Sequence, residues 1–407
     1  MTCSYNLLYK QAETPPAVKL YQRLECQALH ELLSKFEKQP VAFDFETFGL
    51  DATNLKNCFL RSVGLANDSG CISLDLQGLP KTSYDYLFKW LSRQRLIAHN
   101  YAFDGSCLYR ELGYAKQPFA CTFGLFAQLA NDSKEIKWGL KYAMENVLGW
   151  EETNTALLDE WLAKHHNKDK SMMSHAPFYI LGPYNALDAG ATWQLYIYFR
   201  SIMAHFDWGP ALWSYHQQDH CLEIALLIEQ QHKGWYMDVE KMQAYHDSLE
   251  ERIKAAERAF LIHPKIEPLV DEYNEQILAE YRAKEPRHKT KKGAVSKNWI
   301  KWDAKYMSIL RANHFNIGSP KQLTWLLYEK LGFPVLVKTD TDAPSVGKKA
   351  YPGFGELGKL LKAYKLVIKE GQSTEAALYL ERDGKVHPDV KSVSAVSGRL
   401  GSGKEEE

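Results

Sequence analysis

The stretch VAFDFETFGL (residues 41–50) constrains this chain more than any other, because it sets two carboxylates, Asp44 and Glu46, inside an apolar run. In an extended strand successive side chains alternate faces. Val41, Phe43 and Phe45 then share one face, and Asp44 and Glu46 share the other. The first face is suited to a core. The second pairs two like charges, which repel and resist burial. A strand of this kind needs something positive against its acidic face.

The chain has 407 residues, a length that suggests two or three domains. Hydrophobic residues make up 45% and charged residues 25%, as in an ordinary globular protein. Fifty Lys and Arg balance fifty Asp and Glu. That argues against a globally basic nucleic-acid binder and leaves local patches open. The seven cysteines (Cys3, Cys26, Cys58, Cys71, Cys107, Cys121, Cys221) contain no CxxC pair. This speaks against a zinc site or a disulfide framework and fits a reducing compartment. No apolar run is long enough to span a membrane, and MTCSYNLLYKQ at the start lacks a signal-peptide core. The expectation is a cytoplasmic protein, of a bacterium or of a phage-infected host, with no membrane partner.

Residues 1–40 read as a lead-in that ends in a helix, CQALHELLSKFEKQ. Over 41–205, strand-like and helix-like stretches alternate. VAFDFET, RSVGLAND, CISLDL and RLIAHN read as strands, YDYLFKWLSRQ as a helix, and residues 120–149 as further helices. That order predicts an α/β domain with a mixed sheet. KHHNKDKSMMSHAP (164–177) reads as a polar loop with His165 and His166 solvated. Over 206–390 the strand pattern fades and the chain reads as mainly helical. Gly234 suits the end of one helix and Asp238 the start of the next. In that next helix Val239, Met242, Tyr245, Leu249, Ile253, Ala256 and Phe260 recur every three or four residues, which predicts one buried stripe. The run RAKEPRHKTKKGAVSK (282–297) carries seven Lys and Arg against one Glu. It reads either as a solvated loop or as a phosphate contact through Lys289, Lys291 and Lys292.

Three further positions complete the acidic pattern. AHNYAFDGSCL places Asp104 just past a short strand, four residues after Asn100. YNALDAGATWQLY places Tyr184 and Asp188 four apart in a helical stretch, hence on one face. Asp44, Glu46, Asp104 and Asp188 can thus all face one cleft. Such a cluster is tolerable only if cations neutralise it, and hard oxygen ligands select Mg²⁺ or Mn²⁺ over thiophilic metals. Two such ions about 4 Å apart suit an in-line phosphoryl displacement. Tyr184 would position the attacking water through its hydroxyl.

DFET, HNYAFD and YNALDA resemble, in order and context, the three motifs of the tyrosine-bearing DEDD-type 3′–5′ exonuclease domain. The resemblance implies a ribonuclease-H-like fold and two divalent metal ions. It makes Asp44, Glu46, Asp104 and Asp188 the metal ligands and Tyr184 the residue that orients the water. Thr47, Leu50 and Asn100 match positions that hold the terminal nucleotide. The later segments NIGSPKQLTWLLYEKLGFP, TDTDAPSVGKKA, LLKAYKL, DGKVHP and SAVSGRL are similar, in order, to the thumb and the start of the palm of family A DNA polymerases. That resemblance implies a helical thumb-like region over 206–390, interrupted by a basic insertion at about 262–315. Ser319, Lys321 and Gln322 would be donors to phosphate, and Arg399 would reach the minor groove near a primer end.

Residues 391–407 would be the truncated start of a palm followed by a polar tail. No palm aspartates and no fingers helix follow, so the expectation is hydrolysis without nucleotide addition. The expected partners are DNA, both as a single-stranded 3′ end and as primer–template, and a separate palm-and-fingers chain. Two other functions fit parts of the pattern. One is a ribonuclease D-like RNA exonuclease, which shares the acidic set. The other is a non-catalytic DNA-binding subunit of a split polymerase.

Overall fold

The computed structural model describes residues 15–49, 58–130, 138–150, 155–286, 288, 295, 297–309, 314–339, 341–388, 390–391 and 401–402. The chain forms two compact units, Met1–Tyr236 with Lys385–Glu407, and Met237–Gly384.

The first unit opens with β1 (Val18–Tyr21) and α1 (Cys26–Leu33). Then come β2 (Val41–Phe48), β3 (Phe59–Asn67), β4 (Gly70–Asp75), α2 (Lys81–Leu91), β5 (Leu96–Ala98), α3 (Tyr101–Leu112) and β6 (Ala120–Cys121). Six helices follow: α4 (Thr122–Leu129), α5 (Leu140–Asn146), α6 (Thr155–His166), the long α7 (Phe178–Ala204), α8 (Gly209–Tyr215) and α9 (Cys221–Lys233). The six strands lie in the order β1-β4-β3-β2-β5-β6. β2, β3 and β4 are antiparallel, whereas β1 runs parallel to β4, β5 to β2, and β6 to β5. The mixed α/β sheet read from the sequence is therefore present.

Its edge was not foreseen. Val18–Tyr21 lies in the stretch read as a plain lead-in, yet it pairs with Cys71–Leu74. Its pairing partner is some fifty residues away, and four residues carry too little alternation to announce a strand by themselves.

The alternation of β2 sorts the layers as its sequence requires. Val41, Phe43 and Phe45 enter one core with Leu29, Leu33, Phe36, Leu87, Phe88 and Tyr101. Ala42 enters the opposite core with Ala186, Ala189 and Phe199 of α7. On that second side α7 lies unusually close to the sheet. A Cβ built on Gly64 of β3 would come within 2.3 Å of the Asn185 carbonyl oxygen, so only glycine lets α7 settle there.

The segment 164–177 is more ordered than a polar loop. α6 runs through His166, and Lys170–His175 forms a 3₁₀ turn capped by Asp169, whose carboxylate accepts from the Ser171 amide. The rings of His165 and His166 pack 5.2 and 5.0 Å from Trp161. His165 stays exposed and His166 is half-buried, so the ring and the capping aspartate give the segment order without taking His165 out of solvent.

In the second unit α10 (Val239–Leu261) packs along α14 (Gly355–Tyr379), with α11 (Glu267–Arg282), α12 (Lys297–Ile309) and α13 (Pro320–Thr324) between them in sequence. Phe260, Val270, Phe315, Leu326, Leu327 and Leu361 form its core. The stripe predicted on α10 is incomplete. Leu249 and Phe260 are buried, but Tyr245 is 42% exposed and donates its hydroxyl to Glu370 at 3.0 Å. A tyrosine at the margin of a helix pair keeps its polar tip in water, which hydrophobic spacing alone does not reveal.

Candidate active site

The four acidic residues come from three parts of the first unit. Asp44 and Glu46 stand on the α7 side of β2, just before a register shift between Glu46 and Thr47. Asp104 lies in the first turn of α3, where a helix N-terminus favours negative charge. It accepts a hydrogen bond from the Phe45 amide at 2.8 Å, which ties α3 to β2 between the two strand carboxylates. Tyr184 and Asp188 are one turn apart on α7. One carboxylate oxygen from each of Asp44, Glu46 and Asp188 lies within 4.8 Å of the others.

The environment is unfavourable for bare charge. Burial, and then the charges of Asp104, Glu46 and Asp188, push the Asp44 carboxyl well above the ordinary range, against a hydrogen bond from Asn185. Burial and Asp188 raise Glu46 to about 8, against the pull of Lys141. Asp104 rises to about 7, because burial outweighs the Phe45 amide and its own amide. Burial, with Asp188, Glu46 and Asp44 beside it, drives the Tyr184 phenol well above its usual range. Four carboxylates forced together this way form a set of hard oxygen donors, which suits a divalent cation.

Two residues that the sequence did not single out hold this cluster. Asn185 Nδ2 donates to both the backbone oxygen and Oδ2 of Asp44, each at 2.9 Å, while its Oδ1 accepts from the Ser73 hydroxyl at 2.8 Å. Lys141 of α5 places its ammonium 2.5 Å from Asp188 Oδ1. Asn185 lies inside YNALDA, but nothing in the sequence shows that it faces β2. Lys141 sits in a stretch, LKYAMEN, that reads as an ordinary amphipathic turn.

The remaining expected site residues are more dispersed. Thr47 is buried and its hydroxyl donates to the Gly49 carbonyl at 2.6 Å. Asn100 is exposed and takes a left-handed conformation (φ 59°) just before α3. Ser319 caps α13 by accepting from the Gln322 amide, and Gln322 Oε1 accepts from the Asn316 amide at 2.6 Å. Lys321 is exposed on the same short helix, and all three belong to the second unit. Leu50, Lys289, Lys291, Lys292 and Arg399 lie outside the described residues.

This region is similar to known proteins. Residues 23–204 match the family of 3′–5′ exonuclease domains of the DNA polymerase A type. DNA polymerase I of Pseudomonas aeruginosa is 36% identical over 100 residues, which cover 23% of this chain and 11% of that protein. A DNA polymerase of Bacillus phage SP01 is 24% identical over 280 residues, covering 65% of this chain and 29% of that protein. The chain thus spans well under half the length of either relative. Among solved structures, the POL domain of Pol1 from M. smegmatis, in complex with DNA primer-template and dNTP, has a TM-score of 0.61 at 15% identity. The likeness covers 94% of this chain and 54% of that one, and at this identity it bears on the fold. Among the described residues no helix is long and apolar enough to cross a membrane. Residues 23–204, the span in which this chain matches the 3′–5′ exonuclease family, include Asp44, Glu46, Asp104, Tyr184 and Asp188.

Proposed function

We propose that this chain hydrolyses DNA from the 3′ end with Mg²⁺ or Mn²⁺ bound at the carboxylate cluster, as the proofreading part of a family A DNA polymerase. The observation that carries the reading is the convergence of Asp44, Glu46 and Asp188 within 4.8 Å, with Asp104 bonded to the intervening Phe45 amide. Asp44, Glu46 and Asp188 would hold one ion, and Asp104 would join in holding a second. Bound there, divalent ions supply charge neutralisation at the scissile phosphate and a more acidic water.

The chain's own groups do the positioning. Asn185 fixes Asp44 from α7, and the Phe45 amide fixes Asp104. Because its phenol stays protonated at neutral pH, Tyr184 acts as a hydrogen-bonding guide for the attacking water and not as a base. Thr47, Leu50 and Asn100 would border the terminal nucleotide, and the flank of the strand end is where a phosphodiester would enter.

The helical unit Met237–Gly384 is read as thumb-like. Ser319, Lys321, Gln322 and the basic run with Lys289, Lys291 and Lys292 would meet the phosphate backbone of duplex DNA, and Arg399 the minor groove. A palm-and-fingers region, on the same or a separate chain, would complete a polymerase.

The test is digestion of 5′-labelled single-stranded DNA and RNA of one sequence, with Mg²⁺, with Mn²⁺ and with chelator. Stepwise shortening of the DNA from its 3′ end, abolished by chelator, is expected. Digestion of RNA in preference to DNA would transfer the reading to an RNA exonuclease, and metal-independent release would overturn the mechanism.

A further inference from the structure

We propose that Lys141 is a resident counter-cation of the carboxylate cluster, one that competes with a divalent ion for Asp188. The inference rests on the reading of Asp44, Glu46 and Asp188 as metal ligands.

Lys141 belongs to α5, which contributes none of the carboxylates. Its Nζ lies 2.5 Å from Asp188 Oδ1 and 4.0 Å from the centre of the Tyr184 ring. One ammonium therefore touches both α7 residues of the site, as a charge partner of the first and as a cation over the face of the second. The Asp188 side chain is 8% exposed and that of Lys141 34%. The carboxylate is fixed in the interior, while the lysine reaches in from the surface on a flexible stem that can also reach out.

Asp188 belongs at the same time to the triad whose oxygens converge within 4.8 Å. Two cations that draw on one carboxylate weaken each other's hold, and that coupling is reciprocal. Before loading, the ammonium offsets part of the charge of the buried cluster and braces Asp188 and the Tyr184 ring. On loading it is driven off Asp188 toward solvent. Lys141 is thus a positioning residue whose occupancy opposes that of the metal.

The test is Mn²⁺ binding to the full chain without DNA, read from the electron paramagnetic resonance signal of free Mn²⁺. Wild type, Lys141→Met, Lys141→Arg and Asp44→Ala are compared. Lys141→Met is expected to tighten the Asp44-dependent site by about tenfold, because the competing charge is gone. Lys141→Arg keeps the charge and is expected to stay within about threefold of wild type. In the same preparations metal-free Lys141→Met should melt below wild type. Lys141→Gln carries the same expectation if the methionine variant aggregates. An Asp44-dependent Mn²⁺ site that is unchanged or weaker in Lys141→Met and Lys141→Gln overturns the inference alone. Absence of any Asp44-dependent Mn²⁺ site in wild type removes the metal-ligand reading, and the inference with it.

Discussion

Asn185 Nδ2 stands 2.9 Å from Oδ2 of Asp44 and equally close to its backbone oxygen, so a single amide of α7 grips both the strand and its acidic side chain. Asn185 is fully buried and also accepts from Ser73. Asn185→Ala leaves the Ser73 hydroxyl and the Asp44 carboxylate short of a partner. The expected cost is about 2 kcal/mol of unfolding free energy, together with a clear loss of exonuclease rate. Denaturant melts and digestion assays on the same preparation check both. A variant as stable and as active as wild type would show that the contact is incidental.

Gly64 offers a second lever on the same helix. The methyl of Gly64→Ala would meet the Asn185 carbonyl oxygen at 2.3 Å, a backbone atom that cannot swing aside. α7 must then move away from β3, and Asn185, Tyr184 and Asp188 move with it. Overpacking of this kind costs roughly 1–3 kcal/mol. The cluster should also lose metal affinity, measurable as a smaller rise in melting temperature on adding Mn²⁺. Equal metal-induced shifts in the two proteins would contradict this.

Arg61 and Asp75 form a buried ion pair between β3 and β4, 7% and 6% exposed, and the guanidinium also lies over the Phe178 ring at 5.6 Å. Asp75 further accepts from Gln22, just past the edge strand β1. Removing one partner strands the other's charge in the interior, so Asp75→Asn is expected to cost about 3 kcal/mol or more. Replacing both partners by apolar residues should cost less than either single change. A double-mutant cycle in urea measures this, and additive losses would speak against the pair acting as a unit.

Acid should act through buried histidines. Burial depresses His220 and His99 from 6.5 to about 4, and His216 falls well below its usual value. Cys121 donates its amide to His216 Nε2 at 3.1 Å, which requires that nitrogen to be unprotonated. Between about pH 6.5 and 4 the unfolded chain binds protons at these rings and the folded chain does not. Their contribution is therefore intact above 6.5 and is lost as the pH falls through that window. His220 Nε2 is buried with no hydrogen-bond partner among the described residues, so leucine is a tolerable replacement there. His220→Leu should flatten the pH dependence of stability in this window, by up to about 1.4 kcal/mol per pH unit. Identical slopes in the two proteins would show that His220 titrates normally.

The acidic strand face was legible because a period of two is local: once Phe43 and Phe45 point into one core, Asp44 must point out of it. The helical spacing of Tyr184 and Asp188 was legible for the same kind of reason. What escaped depends on contacts between distant segments. β1 has meaning only through its pairing with Cys71–Leu74. Lys141 looks like a solvated helix residue until α5 is laid beside α7. The short range over which Gly64 lets two backbones approach leaves no trace in hydrophobic pattern. Asp169 and Trp161 organise a stretch whose composition reads as loop.

The central claim is that four carboxylates, assembled from β2, α3 and α7, carry the hydrolysis. Single-turnover digestion of 5′-labelled single-stranded DNA in Mg²⁺ tests it most directly, with Asp104→Asn and Tyr184→Phe beside wild type. Asp104→Asn keeps the shape and removes one negative charge from the proposed metal-holding set. It should slow cleavage by about a thousandfold while DNA is still bound. Tyr184→Phe removes the hydroxyl proposed to orient the water and no charge, and should slow it far less, by roughly ten- to a hundredfold. An Asp104→Asn protein that cleaves within tenfold of wild type would contradict the account.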